Sequence, residues 1–274
     1  MAMPGKGARQ ETSASRPSPR ASRLQALEAA LIIFAKAPIP GEVKTRLCPP
    51  LTPDEAASLH GSFVLDMLER SGKAATQGGG SKRAQGFDRF LACAPSSEHV
   101  FFKIMEERHG VRLIDQIGED LGARMDQAFT TIFGLGYARV LLVGTDLPML
   151  SELIFSQAFH RLVDHDLVLG PATDGGYFLI GLKQPAPQLF TGIPWSTDQV
   201  LAHTQRKADA LGLKTALLAP ERDIDTIEDL RVLIQECGLL PSASRPSPRS
   251  VALSKRTAGA LRLLAERHKE LMIG

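Results

Sequence analysis

Two stretches of this chain are apolar without a break: "LIIFA" at residues 31–35 and "VLLVG" at residues 140–144. A strand with one face in water alternates apolar and polar residues. An unbroken run of this length therefore marks a strand covered on both faces. Further strand signals, most of them carrying a charged residue, fall at residues 87–93, 111–114, 166–169, 177–182 and 214–218. Between them lie segments with helical spacing, at residues 51–72, 97–108, 121–133, 151–163, 197–211 and 227–237. The first helix carries its own start signal. Thr52 suits the N-cap, Pro53 the first turn, and Glu55 completes a capping box. Its Ala56, Leu59, Phe63 and Met67 share one face. Strands alternating with helices predict a three-layer α/β/α sandwich with a mainly parallel sheet. Such sheets take their ligands at the carboxyl ends of the strands.

The rest of the composition narrows the classes. At 274 residues, 43% apolar and 23% charged, the chain has the make-up of a water-exposed globular protein. No apolar run approaches a membrane span of ~20 residues. The three cysteines, Cys48, Cys93 and Cys237, are far apart, which predicts free thiols, no disulfide framework and a cytoplasmic setting. Charge is uneven. Residues 1–28 hold five Lys/Arg against two Glu, and residues 241–274 hold seven against two. The middle holds 20 basic against 26 acidic residues, so a nucleic-acid-binding core is not expected. The segment "SASRPSPR" occurs twice, at residues 13–20 and 242–249. Both copies read as extended connectors. The expected organisation is a disordered basic tail over 1–28, one domain over 29–240, a linker over 241–250 and an amphipathic helix over 251–274.

Four loops that follow strands carry unusual residues. The first, "AKAPIPGEVKTRL", sets Lys36, Lys44 and Arg46 around a turn containing Gly41, which suits phosphate. It is not a P-loop, because Gly41 and Lys44 stand too close in sequence. The second, "GEDLGARM", places Gly118, Asp120, Gly122 and Arg124 at a helix start. Asp120 can equally be a plain helix cap. The third, "VLLVGTDLPML", delivers Asp146 at the end of a buried strand, where a carboxylate commonly holds a divalent cation. Ser151 is the better cap for the next helix, which frees Asp146. The fourth, "ERDIDTIEDL", brings Asp223 and Asp225 before a helix that Thr226 or Asp225 can cap. Asp146, Asp223 and Asp225 together would supply the carboxylates a divalent metal wants. Two further segments, "GPATDGGYFLIGL" and "GIPWST", are expected to face the same cleft. The first holds Asp174, Gly175, Gly176 and Tyr177. The second holds Trp195, the only tryptophan, with Ser196 and Thr197. Trp195 suits a core or lid position as well as a stacking role. No Cys–His or Ser–His–Asp set points to a covalent nucleophile.

These loops, taken in order, resemble those of the nucleotide-diphospho-sugar transferases of the type-A glycosyltransferase fold. More narrowly they resemble the bacterial transferases associated with radical-SAM and selenium-domain proteins, of arsenosugar type. The order is also similar to that of guanylyltransferases acting on phospholactate and on molybdenum cofactor. The resemblance covers residues 30–237 and implies a metal-dependent transferase using Mg2+ or Mn2+. Its metal ligands would be Asp146, Asp223 and Asp225, and its catalytic groups Lys44, Asp146 and Asp174. The nucleotide would lie along Ala35, Lys36, Gly41, Lys44 and Arg46, and near Gly118, Asp120, Gly122 and Arg124. A small-molecule acceptor would face Gly175, Gly176, Tyr177, Trp195, Ser196 and Thr197. The chain lacks the G-G-x-G-x-R loop of many sugar nucleotidyltransferases and the full D-x-D of many glycosyltransferases. The donor is therefore a nucleotide-sugar or a nucleoside triphosphate. A noncatalytic nucleotide-binding protein is the alternative from another class, and a homo-oligomer is left open.

Overall fold

The computed structural model describes residues 28–77, 86–239 and 253–269. Both copies of the repeated octapeptide, the tail over 1–27, the linker over 241–250 and the whole segment 78–85 lie outside them. Glu28, placed by sequence in the tail, instead starts the fold. Its carbonyl accepts from the Arg139 amide at 3.0 Å, and its carboxylate meets the Arg139 guanidinium at 3.1 Å.

Seven strands form one sheet: β1 (Ala29–Lys36), β2 (Asp88–Ala94), β3 (Arg112–Asp115), β4 (Arg139–Val143), β5 (Leu167–Pro171), β6 (Tyr177–Leu182) and β7 (Thr215–Leu217). Their order across the sheet is β3-β2-β1-β4-β6-β5-β7. Only β6 runs against its neighbours, β4 and β5, and every other pairing is parallel. The register sets Ile33 of β1 beside Leu91 of β2 and Val143 of β4. The unbroken apolar runs now have their cause. In β1, Leu31, Ile33 and Ala35 enter the core on one face of the sheet, and Ala30 and Ile32 enter the core on the other. In β4, Leu141 and Val143 go one way, Val140 and Leu142 the other. Successive side chains point to opposite faces, so a strand buried on both sides must be apolar throughout.

Helices α1 (Pro53–Gln77), α2 (Val100–His109) and α4 (Leu153–Asp164) cover the first face. Helices α3 (Leu121–Gly134) and α5 (Val200–Ala210) cover the second. Helix α6 (Ile227–Glu236) follows β7. The expected capping box of α1 is present: the Thr52 amide donates to Glu55 at 3.0 Å, and the Glu55 amide donates to Thr52 at 3.2 Å. Helix α5 starts three residues later than its pattern suggests. Thr197 is used in a turn, donating to the Pro194 carbonyl at 2.7 Å and accepting from the Gln199 amide at 3.3 Å.

The C-terminal amphipathic segment packs on the domain. Helix α7 (Lys255–Arg267) buries Leu261, Leu264 and Ala265 with Leu59 and Phe63 of α1 and Leu230, Leu233 and Ile234 of α6. Burying each leucine stabilises by about 2 kcal/mol. Polar contacts set its position at both ends. Near its start, Arg256 and Thr257 reach the buried Asp66, at 2.8 and 2.7 Å. Near its end, Arg267 and His268 reach Glu55, at 3.3 and 2.9 Å. Among the described residues, no helix is long and apolar enough to cross a membrane.

Candidate active site

The carboxyl ends of β1 to β5 and β7 lie along one edge of the sheet, and β6 begins there. The four suspect loops and the turn between β5 and β6 are therefore neighbours. The Ile224 amide donates to the Asp146 carbonyl at 2.9 Å, which ties the segment before α6 to the end of β4. Thr226 and Asp229 close a capping box on α6, with bonds of 3.2 and 3.0 Å. Neither Asp223 nor Asp225 is used as the cap.

Lys44 decides the electrostatics. Its Nζ lies 2.8 Å from a carboxylate oxygen of Asp146 and 2.8 Å from one of Asp225, with a side chain only 4% exposed. It also donates to the Ile224 carbonyl and sits 5.9 Å from the Phe63 ring centre. Burial opposes its charge, yet the two aspartates hold its pKa above the ordinary lysine value. Burial likewise favours a neutral Asp146, but Lys44 and then His60 outweigh that and hold the carboxyl well below its usual range. The ammonium thus marks a point where oxygen donors hold a cation: two carboxylates and a main-chain carbonyl. These are hard ligands of the type Mg2+ and Mn2+ take. Among the described residues, no group of three or more His, Cys, Asp or Glu side chains is arranged around one such point. Asp223, expected with Asp146 and Asp225, borders the neighbouring cavity instead.

Two adjoining cavities share Asp146. The first, about 420 Å³, is lined by Ala35, Lys36, Lys44 and Arg46 on the first loop, with Asp146 and Asp225 opposite. Lys36 and Arg46 are exposed there. The second, about 250 Å³, is lined by Asp146, Asp174, Tyr177, Trp195, Thr197 and Asp223, among others. Gly176 and Ser196 line it too. A third recess beside the first holds Arg124, Lys36 and Glu42.

Four residues expected at the nucleotide, Gly41, Gly118, Asp120 and Gly122, line none of these cavities, and the fold uses each of them structurally. Asp120 accepts from the Ala123 amide at 2.7 Å, so it is the plain cap of α3. The Gly118 carbonyl accepts from Arg124 Nε at 3.0 Å. Gly41 stands in the turn where the Glu42 amide donates to Ile39 at 3.0 Å. Gly122 is needed for a close approach. A Cβ there would lie 2.6 Å from the Phe190 carbonyl oxygen and 2.7 Å from the Trp195 ring. Trp195 is thus wedged against α3, and its ring meets Tyr177 edge-on at 6.5 Å. Gly175 is also structural: its φ is 90°, and a Cβ would lie 2.1 Å from the Asp198 carbonyl oxygen. Asp174 accepts from the Gly176 amide at 2.8 Å and still borders the cavity.

Gly122→Ala is expected to push Trp195 out of its wedge. Overpacking of this kind destabilises by about 1–3 kcal/mol. Because Trp195 is the only tryptophan, its fluorescence reports the change alone. A red-shifted emission is expected, and an unaltered spectrum would mean the ring is held by something else.

Sequence reasoning passed over His60 and Gln116. His60 Nε2 donates to the Lys36 carbonyl at 3.1 Å, and Nδ1 lies 3.6 Å from Asp146. Its signal was its place next to Leu59 on the buried side of α1, an unusual position for a polar ring. Gln116 Nε2 donates to the Ala35 and Ala92 carbonyls, at 3.1 and 2.8 Å, and so joins the ends of β1 and β2. No local pattern marks it.

The pKa of Asp223 is pushed up to about 6, first by burial and then by Asp174 and Asp225. Its folded value lies above the unfolded one, so stability is greatest when it is protonated and is lost as pH rises from about 4 through about 6. Asp223→Asn should therefore raise the melting temperature at pH 8, with a gain that shrinks toward pH 4. A gain equal at both pH values would show that Asp223 ionises freely.

Residues 80–197 match the family described as "uncharacterized protein conserved in bacteria (DUF2064)". A comparison with curated proteins gives no match. Among solved structures, the chain is similar to a protein from Desulfovibrio desulfuricans G20 provisionally described as a nucleotide-diphospho-sugar transferase. That likeness has a TM-score of 0.69 and 29% identity, and covers 89% of this chain and 96% of the other. A cytidylyltransferase from Leptospira borgpetersenii is also similar, at 15% identity and a TM-score of 0.48, covering 89% of this chain and 96% of that one. So is glucosyl-3-phosphoglycerate synthase from Mycobacterium tuberculosis, at 11% identity and a TM-score of 0.44, covering 77% of each chain. The order of the seven strands, the loops gathered at their carboxyl edge and the likeness to the Desulfovibrio protein over nearly its whole length place this chain in the nucleotide-diphospho-sugar transferase superfamily.

Proposed function

We propose that the chain transfers a group from a nucleotide-sugar donor to a small-molecule acceptor, with Mg2+ or Mn2+ at the donor phosphates. The observation that carries this reading is the position of Asp146, one carboxylate bordering two unlike cavities. The cavity along Lys36 and Arg46 offers cations to phosphate. The other offers Trp195 and Tyr177 as an aromatic wall, with Asp174 and Asp223 to accept from hydroxyls. A divalent cation held by Asp146 and Asp225, with Asp223 beside them, supplies neutralising charge where the leaving phosphate gathers it. Lys36 and Arg46 orient that phosphate, while Trp195 and Tyr177 fix the acceptor side and exclude water from it.

A second reading is nucleotidyl transfer from a nucleoside triphosphate. The recess at Arg124 favours it, because it lengthens the basic lining beyond Lys36 and suits a longer phosphate chain. The two readings are separated by a panel of nucleotide-sugars and nucleoside triphosphates with Mg2+ or Mn2+. Thermal shift would show which bind, and product analysis would show which group leaves. Release of nucleoside diphosphate supports glycosyl transfer, and release of pyrophosphate supports the second reading. If no nucleotide raises the melting temperature with either metal, both fail.

A further inference from the structure

Lys44 has an arrangement that a simple phosphate-binding lysine does not need. Its ammonium is buried between Asp146 and Asp225, 2.8 Å from each, and against the Ile224 carbonyl. Its backbone is left-handed, with φ 49°. A residue other than glycine keeps that conformation only where its surroundings hold it. The ammonium therefore occupies the point at which these oxygens would take up a metal. A divalent ion bound through the same oxygens needs that position, and two cations cannot share it.

We propose that Lys44 and a divalent cation exchange at this point. The metal displaces the Lys44 ammonium from Asp146 and Asp225, and the freed ammonium turns toward Lys36 and Arg46, within the cavity that all three residues line, to meet the donor phosphates. The inference rests on the cleft being a metal and nucleotide site. The charges favour the exchange. With Lys44 in place, two carboxylates face one ammonium and leave a net negative charge. With the metal in place, the carboxylates are neutralised and a positive charge is released toward phosphate. Metal and phosphate thereby assist each other, since each favours the state with Lys44 displaced. Without metal, the ammonium of Lys44 is held on the two aspartates and only Lys36 and Arg46 are free to meet phosphate.

The test is Mn2+ binding in the absence of nucleotide, measured by calorimetry on the full chain and on Lys44→Met. If the lysine fills the site more than nine-tenths of the time, its removal should tighten Mn2+ binding at least about tenfold. A folded Lys44→Met that binds Mn2+ no tighter than the parent overturns the exchange. Because that variant leaves two carboxylates facing each other and can fail to fold, the parent supplies a second measurement. Lys44 labelling by trinitrobenzenesulfonate, read by peptide mass spectrometry, should quicken several-fold with saturating Mg2+, while the exposed Lys73 on α1 serves as control. An unchanged rate at Lys44, with Mg2+ binding seen by calorimetry, again overturns it. If neither protein binds metal, with or without a nucleoside diphosphate, the metal reading of the cleft falls and takes the exchange with it.

Discussion

Asp146→Asn is expected to leave the fold intact and to weaken Mg2+-dependent nucleotide binding about tenfold or more, the loss of one charge-assisted ligand. The two halves of that result have separate causes. The fold survives because asparagine keeps the shape of the side chain. The main-chain bond from Ile224 to the carbonyl of residue 146 does not depend on it. No charge is stranded either: Lys44 keeps Asp225 at 2.8 Å, so two carboxylates on one ammonium become one on one. Binding suffers because residue 146 borders both cavities. Removing its charge weakens the hold on a cation where the two cavities adjoin. Calorimetry with and without Mg2+ checks this. Nucleotide affinity without metal should change little. If the variant binds nucleotide with Mg2+ as the parent does, Asp146 is only an anchor for Lys44, and metal-dependent transfer loses its main support.

Asp66→Ala should lower the melting temperature by about 5 °C or more. Asp66 is 2% exposed and accepts from Thr257 Oγ1 and Arg256 Nη1, at 2.7 and 2.8 Å. Truncation leaves the buried Thr257 hydroxyl without its acceptor and removes the carboxylate that pairs with Arg256. A buried group left unsatisfied costs about 1–3 kcal/mol. In a chain of this size each kcal/mol moves the midpoint by about 2–4 °C. The loss should be local in origin. The start of α7 loosens from α1, and Leu261 and Leu264 are exposed to water more often. Scanning calorimetry reads the first effect, and faster trypsin cleavage within α7 reads the second. A melting temperature equal to the parent's would mean that apolar packing alone seats α7. Glu69, which also pairs with Arg256, keeps part of that contact in the variant.

Both predictions depend on residues that the sequence showed unequally. Asp146 was legible. A buried strand must be apolar on both sides, so the first carboxylate after it stands at the sheet edge, and Ser151 left it unused as a cap. Asp66 was not. It lies on α1 one position from Met67, on a helix whose pattern shows an apolar face but not what covers it. Its partners come from a helix 190 residues further along. The same holds for Gly122. Its place at a helix start suggested a ligand, whereas its smallness serves Trp195, which reaches it from a different part of the chain.

By itself the sequence determined the alternation of strands and helices, the two-sided burial of β1 and β4, the capping box at Thr52 and Glu55, and the set of carboxylates and cations at strand ends. Each follows from spacing within about 20 residues, the range over which periodicity, caps and turns act. Only the tertiary structure decided how those groups pair. Lys44 meets Asp225 across 181 residues because β1 and β4 are neighbours in the sheet and the segment before α6 bonds to the end of β4. The same order sends Asp223 to the cavity lined by Trp195 and Tyr177 and Asp225 to the basic one. Strand order is a global outcome of packing two cores against one sheet, so no local pattern carries it.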